Sequence, residues 1–295
     1  MARKAARKAH PRIIDCHGHV NWYGYDADRL VENMDEHGID VMWLLTCEVP
    51  SDEVGASSRR SSWPGRAGMP LEDVIEAVKR HPSRFVPFYA PDPRQPDAMG
   101  RLRGAMEYHG VRGFGDLKVR IMLDDPRALE LFHFCGEKHL PVIFHLDVPL
   151  PRGDLSRSPG YWYCCDWENL ARALELCPKT TFLGHAPGFW REISGDADSQ
   201  ENSYPDGPVT PDGKLWQYLD TYPNLHCDLS AGSGFRAISR DPKVGRKFLV
   251  KYQDRCLFGR DYFDDRLMVF LKSCKLPAGA MNKILSGNAR KLVPV

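Results

Sequence analysis

No stretch of this chain stays apolar long enough to cross a bilayer. Its longest runs, such as Val41–Leu45, are only a few residues, against the roughly 20 that a span requires. Charge of one sign is lacking too: Lys and Arg number 40 against 39 Asp and Glu, a formal balance of +1, which leaves no broad basic field to capture a phosphate backbone. The expected partners therefore include neither membrane nor nucleic acid. Cys-x-x-Cys spacing is missing as well. The nine cysteines are scattered, and Cys164 and Cys165 are adjacent, so neither a thiolate metal knot nor a redox motif is written here. An odd, unpatterned set of thiols fits a reducing cytoplasm. Nothing apolar follows Arg3, Lys4, Arg7 and Lys8, so residues 1–11 read as a basic flexible tail rather than a secretory signal. Disorder on a larger scale is excluded by a hydrophobic fraction of 42% with 27% charged residues, both near globular averages.

What the chain does have is an alternation. Short β-branched and aromatic runs recur at Arg12–Cys16, Ile39–Leu45, Phe85–Tyr89, Val111–Val119, Val142–His145, Thr181–His185, Leu225–Leu229 and Cys256–Asp261. Amphipathic stretches lie between them, at Asp28–His37, Leu71–Arg80, Asp97–Tyr108, Pro126–Lys138, Trp167–Leu176, Lys214–Thr221 and Pro242–Tyr252, with a further pair after the last strand. Two of these helices open on Asp-Pro, at Asp125–Pro126 and Asp241–Pro242, an N-cap followed by proline at the first helical position. Eight strands alternating with helices over 12–295 predict one (β/α)8 TIM-type barrel. An open doubly wound sheet would place a Gly-rich phosphate turn after its first strand, where this chain has His17-Gly18-His19. Three connections, Glu48–Met69, Asp147–Cys165 and Ala186–Gly213, are too long for simple turns. They follow strands 2, 5 and 6, and so belong to the face where such barrels keep their chemistry.

Chemistry-bearing residues gather at the same strand ends. His17 and His19 stand two apart at the end of strand one, and period two aims both rings to one side. His145, His185 and Asp261 close strands five, six and eight. Isolated buried polar groups at each of these ends would only cost stability. Gathered together, four imidazoles and a carboxylate offer the nitrogen and oxygen donors that a divalent metal ion takes, with a position left for a reactant.

These motifs resemble the amidohydrolase superfamily, in particular its amidohydrolase-related branch of aminocarboxymuconate-semialdehyde decarboxylase, resorcylate-type decarboxylases and lactone hydrolases. The likeness runs from Ile13 to the closing Gly287-Asn288-Ala289 segment. It implies one divalent metal, zinc before manganese or cobalt, on His17, His19, His145 and Asp261, with His185 acting on the water or the substrate. It also implies a homodimer. Lys118 lies where binuclear relatives carry a carboxylated bridging lysine, but Gly115-Asp116-Leu117-Lys118-Val119 resembles the mononuclear branch. Arg260 stands where relatives usually carry a small hydroxyl residue, and alternation turns it away from Asp261, into a buried ion pair.

The resulting expectation is a metal-dependent hydrolase in which Asp261 takes a proton from an activated water and His185 orients that water or the developing oxyanion. Its substrate would be a lactone, ester or amide of a cyclic or aromatic organic acid. Tyr23 and Trp190 would supply flat contact surface, and Arg191 and Arg120 would clamp a carboxylate; Arg236 is a further candidate for the same role. Non-oxidative decarboxylation of an aromatic or muconate-type acid is the alternative. A non-catalytic metal scaffold is a weaker third reading, which predicts a closed coordination shell.

Overall fold

The computed structural model describes residues 13–48, 50, 53, 68–148, 162–200 and 202–295. The basic tail and most of the connections at 48–69 and 147–165 lie outside the described residues. Eight parallel strands run in chain order: β1 (Ile14–Gly18), β2 (Val41–Leu45), β3 (Phe85–Phe88), β4 (Phe114–Leu117), β5 (Val142–His145), β6 (Phe182–His185), β7 (Leu225–Asp228) and β8 (Cys256–Leu257). Strands β1–β3 pair in one run and β4–β8 in another. Backbone hydrogen bonds stitch both seams. Arg112 and Tyr89 donate to the Pro87 and Gly113 carbonyls at 2.9 and 3.0 Å, while Cys16 and Asp261 donate to those of Phe258 and His17, both at 2.9 Å.

Side-chain parity shows what this arrangement encloses. Ile14, Cys16, Val41, Trp43, Leu45, Val86, Phe88, Ile143, Leu183 and Leu257 pack together as an inner core. Their strand neighbours, including Met42, Leu44, Phe85, Val142, Phe144, Phe182 and Cys227, join the larger shell shared with the helices. Strands buried on both faces are what a helix-covered parallel sheet demands. Ala289 and Val293 of the C-terminal segment complete the inner core, and Asn288 donates to the Gln253 and Cys256 carbonyls, each at 2.8 Å.

The helices begin where their caps place them. Asp26 starts α1 (Ala27–Glu36) by accepting from the Arg29 amide. After α2 (Leu71–Arg80) and α3 (Ala98–His109), Asp125 caps α4 (Pro126–Lys138) with proline at its first position, and Asp166 and Asn169 form a reciprocal capping box on α5 (Trp167–Leu176). The connection after β6 departs from the expected loop. It holds the short α6 (Pro187–Trp190) and two 3-10 turns before α7 (Lys214–Thr221). A second helix absent from the sequence reading, α8 (Ala231–Ser239), follows β7 directly, and α9 (Pro242–Lys251) then leads to β8, with Asp241 accepting from the Val244 amide. β8 is shorter than its apolar run predicted. Phe258 donates to the Ile284 carbonyl at 2.9 Å, and the chain turns so that Asp261 sits at φ 61°.

Two strands are irregular. The β1–β2 register shifts between Asp15 and Gly18, and the β4–β5 register shifts between Phe114 and Leu117. Such bulges re-aim side chains beside active sites. At Gly18 a Cβ would lie 2.3 Å from Met42 Sδ, so a larger residue between the two histidines would have to displace the Met42 side chain.

Candidate metal centre

Ile14 and Cys16 face the barrel axis, so unbroken alternation would turn His17 outward; the register shift in β1 brings it in. His17 and His19 then meet with their Nε2 atoms 3.2 Å apart. Their other nitrogens are fixed. His17 Nδ1 donates to Asp228 Oδ2 at 2.6 Å, and His19 Nδ1 donates to the Leu45 carbonyl at 2.9 Å. A carbonyl and a carboxylate at the Nδ1 positions leave both Nε2 lone pairs directed at a common point, the way metal-binding imidazoles are oriented. Asp261 Oδ1 lies 3.7 Å from His17 Nε2 and 3.5 Å from His19 Nε2.

His185 approaches from β6. Its Nδ1 lies 2.9 Å from Ser230 Oγ, its Nε2 is 4.0 Å from Asp261 Oδ2, and its ring centre is 4.3 Å from that of His17. In-register pairing of β5 with β6 sets His145 beside it, at 5.2 Å between ring centres. Among the described residues, two groups of three donors have ligand atoms all within 4.8 Å of one another: His17, His185 and Asp261, and His17, His19 and Asp116. Thus His17, His19, Asp261 and His185 converge. His145 belongs to neither group; its Nε2 lies 3.1 Å from Asp147 Oδ2 and its Nδ1 3.5 Å from Asp116 Oδ2.

Electrostatics at the centre favour a cation. Burial works to lower the His17 pKa, but the carboxylates of Asp228 and Asp261 outweigh it and raise the ring to about 10. Burial and the neighbouring His17 charge push His19 down to about 3, and the same causes hold His185 well below its ordinary value. Burial lifts Asp261 to about 6, against the pull of His17 and with the help of the Asp116 charge. For Asp116 burial acts in the same upward sense, yet the close approach and charge of His145 hold it below the usual carboxylate range. A field that would trap a proton on a buried imidazole between carboxylates also attracts a divalent ion, which displaces that proton. The donor set of imidazole nitrogens and carboxylate oxygens fits such an ion.

Several residues assigned to substrate lie elsewhere. Trp190 is buried in the shell core, with its indole donating to the Asp228 carbonyl at 2.9 Å. It supports β7 rather than facing the mouth, because α6 folds back on the barrel immediately after His185. Arg191 is buried too, and its guanidinium ties the carbonyls of Ala197 and Gln200, so it braces the loop. Arg236 pairs with Asp206 on the surface at 2.6 Å. Tyr23 does belong to an aromatic group beside the histidines: Trp22 lies 5.3 Å from His19, and Tyr23 and Tyr262 pack against Trp22 at 4.6 and 5.2 Å between ring centres. Arg120 is half-buried; its Nε has no hydrogen-bond partner.

Sequence reasoning missed three carboxylates, Asp116, Asp147 and Asp228. Asp228 offered a signal, since it closes the apolar run of β7 as Asp261 follows that of β8. Arg260 is where alternation placed it, 2.7 Å from Asp15 Oδ2 and donating to Asn33 at 2.9 Å, although the turn at Asp261, not a continuing strand, separates the two side chains.

Comparison with known families and folds agrees with this architecture. The model of the amidohydrolase family matches residues 14–295. A comparison with curated proteins finds no match. Among solved structures, the chain is similar to an uncharacterised TIM-barrel protein from Bordetella bronchiseptica (18% identity, 96% of this chain and 98% of that one, TM-score 0.64). It is also similar to a dihydroxybenzoic acid decarboxylase from Polaromonas with bound manganese and 2-nitroresorcinol (20% identity, 96% and 97% coverage, TM-score 0.61). A third similar structure is a 2-pyrone-4,6-dicarboxylic acid hydrolase, so described provisionally, from Pseudomonas putida (17% identity, 96% and 97% coverage, TM-score 0.58).

Proposed function

Because this chain belongs to the amidohydrolase family, a family of metal-dependent enzymes, we propose that it is a hydrolase of a lactone, ester or amide of a cyclic or aromatic organic acid. The observation that carries the proposal is the pair of Nε2 atoms 3.2 Å apart, with Asp261 3.5 Å from one of them and the His185 ring beside the other. His17, His19 and Asp261 would hold the ion, with His145 joining from β5 as the family likeness implies. A divalent ion there supplies a Lewis acid and a water acidified towards a pKa of about 7.

Around it the chain's own groups divide the work. Asp261, beside the histidine pair, is the carboxylate that would accept a proton at Oδ2. His185 stays neutral; with the Ser230 hydroxyl donating to Nδ1, its Nε2 carries the hydrogen and donates to the oxygen that gains charge. The aromatic group of Trp22, Tyr23 and Tyr262 offers a wall for a flat ring, and Arg120 offers a guanidinium for a carboxylate. Zinc is the proposed ion, ahead of manganese and cobalt. Nine buried free cysteines accord with a reducing cytoplasm, and a homodimer is proposed on the family likeness alone. No helix among the described residues is long and apolar enough to cross a membrane.

A second reading, metal-dependent decarboxylation, is favoured by the likeness to the decarboxylase fold. It uses the same groups, with a ring carbon taking the proton. Elemental analysis of purified protein, followed by mass-spectrometric screening of lactones and hydroxybenzoic acids, decides between the two. One divalent ion per chain and products heavier by one water are the expected result; loss of carbon dioxide establishes the second reading, and metal-loaded protein without turnover leaves the scaffold.

A further inference from the structure

Beside Asp261 a second carboxylate faces the histidine pair, and no role has yet been given to it. Asp116 is 3% exposed and lies on β4 at its register shift. Its carboxylate is grouped with His17 and His19, all ligand atoms within 4.8 Å. Oδ2 lies 3.5 Å from His145 Nδ1, whereas Oδ1 is buried with no hydrogen-bond partner. Unmatched buried carboxylate oxygens are rare in folded proteins because desolvating them is costly. Asp261 adds a like charge on the far side, and the two acids repel across the centre. A cation between the two acids removes both penalties.

We propose that Asp116 is itself a metal ligand, so that the ion is held by His17 and His19 between two carboxylates, Asp116 from β4 and Asp261 from beyond β8. This rests on the metal-dependent reading above. It differs from the ligand set implied by family resemblance, which has no strand-four aspartate and draws its fourth donor from His145. Here His145 is the residue outside both three-donor groups; its Nε2 lies 3.1 Å from Asp147 Oδ2, and its Nδ1, 3.5 Å from Asp116 Oδ2, makes no hydrogen bond. Two anionic donors make the bound site neutral overall where the family set leaves it positive.

The test is metal binding, read independently of turnover. Full-length protein and the Asp116→Asn variant are stripped and titrated with zinc and with manganese against a competing chelator, and the cobalt-loaded forms are compared by visible absorption. The expected result is a dissociation constant weaker by at least about 10-fold in the variant, because removing even a group that only supports a ligand costs 10–100-fold, together with altered cobalt bands. A role confined to packing would leave those bands unchanged, and unchanged bands with unchanged affinity overturn the proposal. A crystal structure of the metal-loaded parent decides the matter without relying on the variant's folding. An Asp116 oxygen within about 2.0–2.6 Å of the ion supports the assignment. An ion held by His17, His19 and Asp261 with Asp116 beyond bonding distance overturns it and leaves the functional reading intact. Failure of the parent to bind any divalent ion removes both.

Discussion

Two buried charged clusters grow from the same two pieces of chain and have opposite characters. Asp15 of β1 and Arg260 beyond β8 meet at 2.7 Å, and Asp15 Oδ1 also accepts from the Arg260 and His17 amides at 2.9 and 3.2 Å. His17, two residues after Asp15, and Asp261, directly after Arg260, enter the metal centre. In the first cluster acid meets base and the fold satisfies most of the charge by itself. In the second, acids face acids, two imidazole Nε2 atoms stand 3.2 Å apart, and Asp116 keeps an oxygen with no donor. The contrast separates a buried charge that serves the fold from one that the fold alone does not satisfy. The latter marks the place where something from outside the chain belongs.

The strongest way to break this comparison is to change one member of the adjacent pair Arg260 and Asp261 at a time. Asp261→Asn should lower turnover roughly 10²–10⁴-fold, the range for losing a positioned proton acceptor, measured on the substrate found by the mass screen. Its stability should move the other way. Asp261 has a folded pKa raised above the ordinary 3.8 to about 6, so its own contribution to the stability of the metal-free fold is full below about pH 4 and is lost as pH rises through 6. Metal-free Asp261→Asn should therefore melt higher than the metal-free parent at pH 7 and level with it at pH 4. A lower melting point at pH 7 would mean that Asp261 stabilises the empty fold and that the distinction between the clusters is wrong.

Arg260→Met should give the reverse pattern. It strands Asp15, which is fully buried, without its partner, and breaking a buried pair costs about 3–5 kcal/mol. The measurement is denaturant unfolding, with metal content determined on the folded fraction, which should stay at the parental level. Replacing both partners, Asp15→Leu with Arg260→Met, should recover much of the loss. A double variant as unstable as the single one would show that Arg260 acts through something other than its charge.

The repeating parts of the molecule were legible, and the irregular parts were not. Short β-branched and aromatic runs located all eight strands, and Asp-Pro located the starts of α4 and α9, because these signals depend only on local sequence. His17, His19, His185 and Asp261 were visible as polar groups at the ends of buried runs. Asp116 was not, since its turn into the centre depends on a register shift in β4 that no local spacing encodes. Asp228 was visible and overlooked. Trp190 and Arg191 misled because nearness in sequence to His185 was read as nearness to substrate; a helical turn carries both into packing. Glycine tells the same story at Gly259, where a Cβ would stand 2.7 Å from Asp228 Oδ1, a constraint known only once β7 and the turn after β8 are side by side.

The finest division between the clusters runs through Asp228, which belongs to neither wholly. Its Oδ2 receives His17 Nδ1–H at 2.6 Å, and its Oδ1 accepts from the Ser230 amide at 3.0 Å and lies 3.5 Å from Cys16 Sγ. One oxygen therefore orients a metal-facing imidazole while the other fixes the turn that carries Ser230 to His185. Asp228→Asn keeps the shape and an acceptor but removes the charge behind His17. The ring then becomes a weaker donor to metal, and affinity should fall by about 10–100-fold, less than when a ligand is lost. If Asp228 only braced the turn, the variant would melt lower with metal affinity unchanged; if it tunes His17, affinity falls while the metal-free melting temperature holds or rises. Chelator competition and thermal melting on the same preparation read the two effects separately.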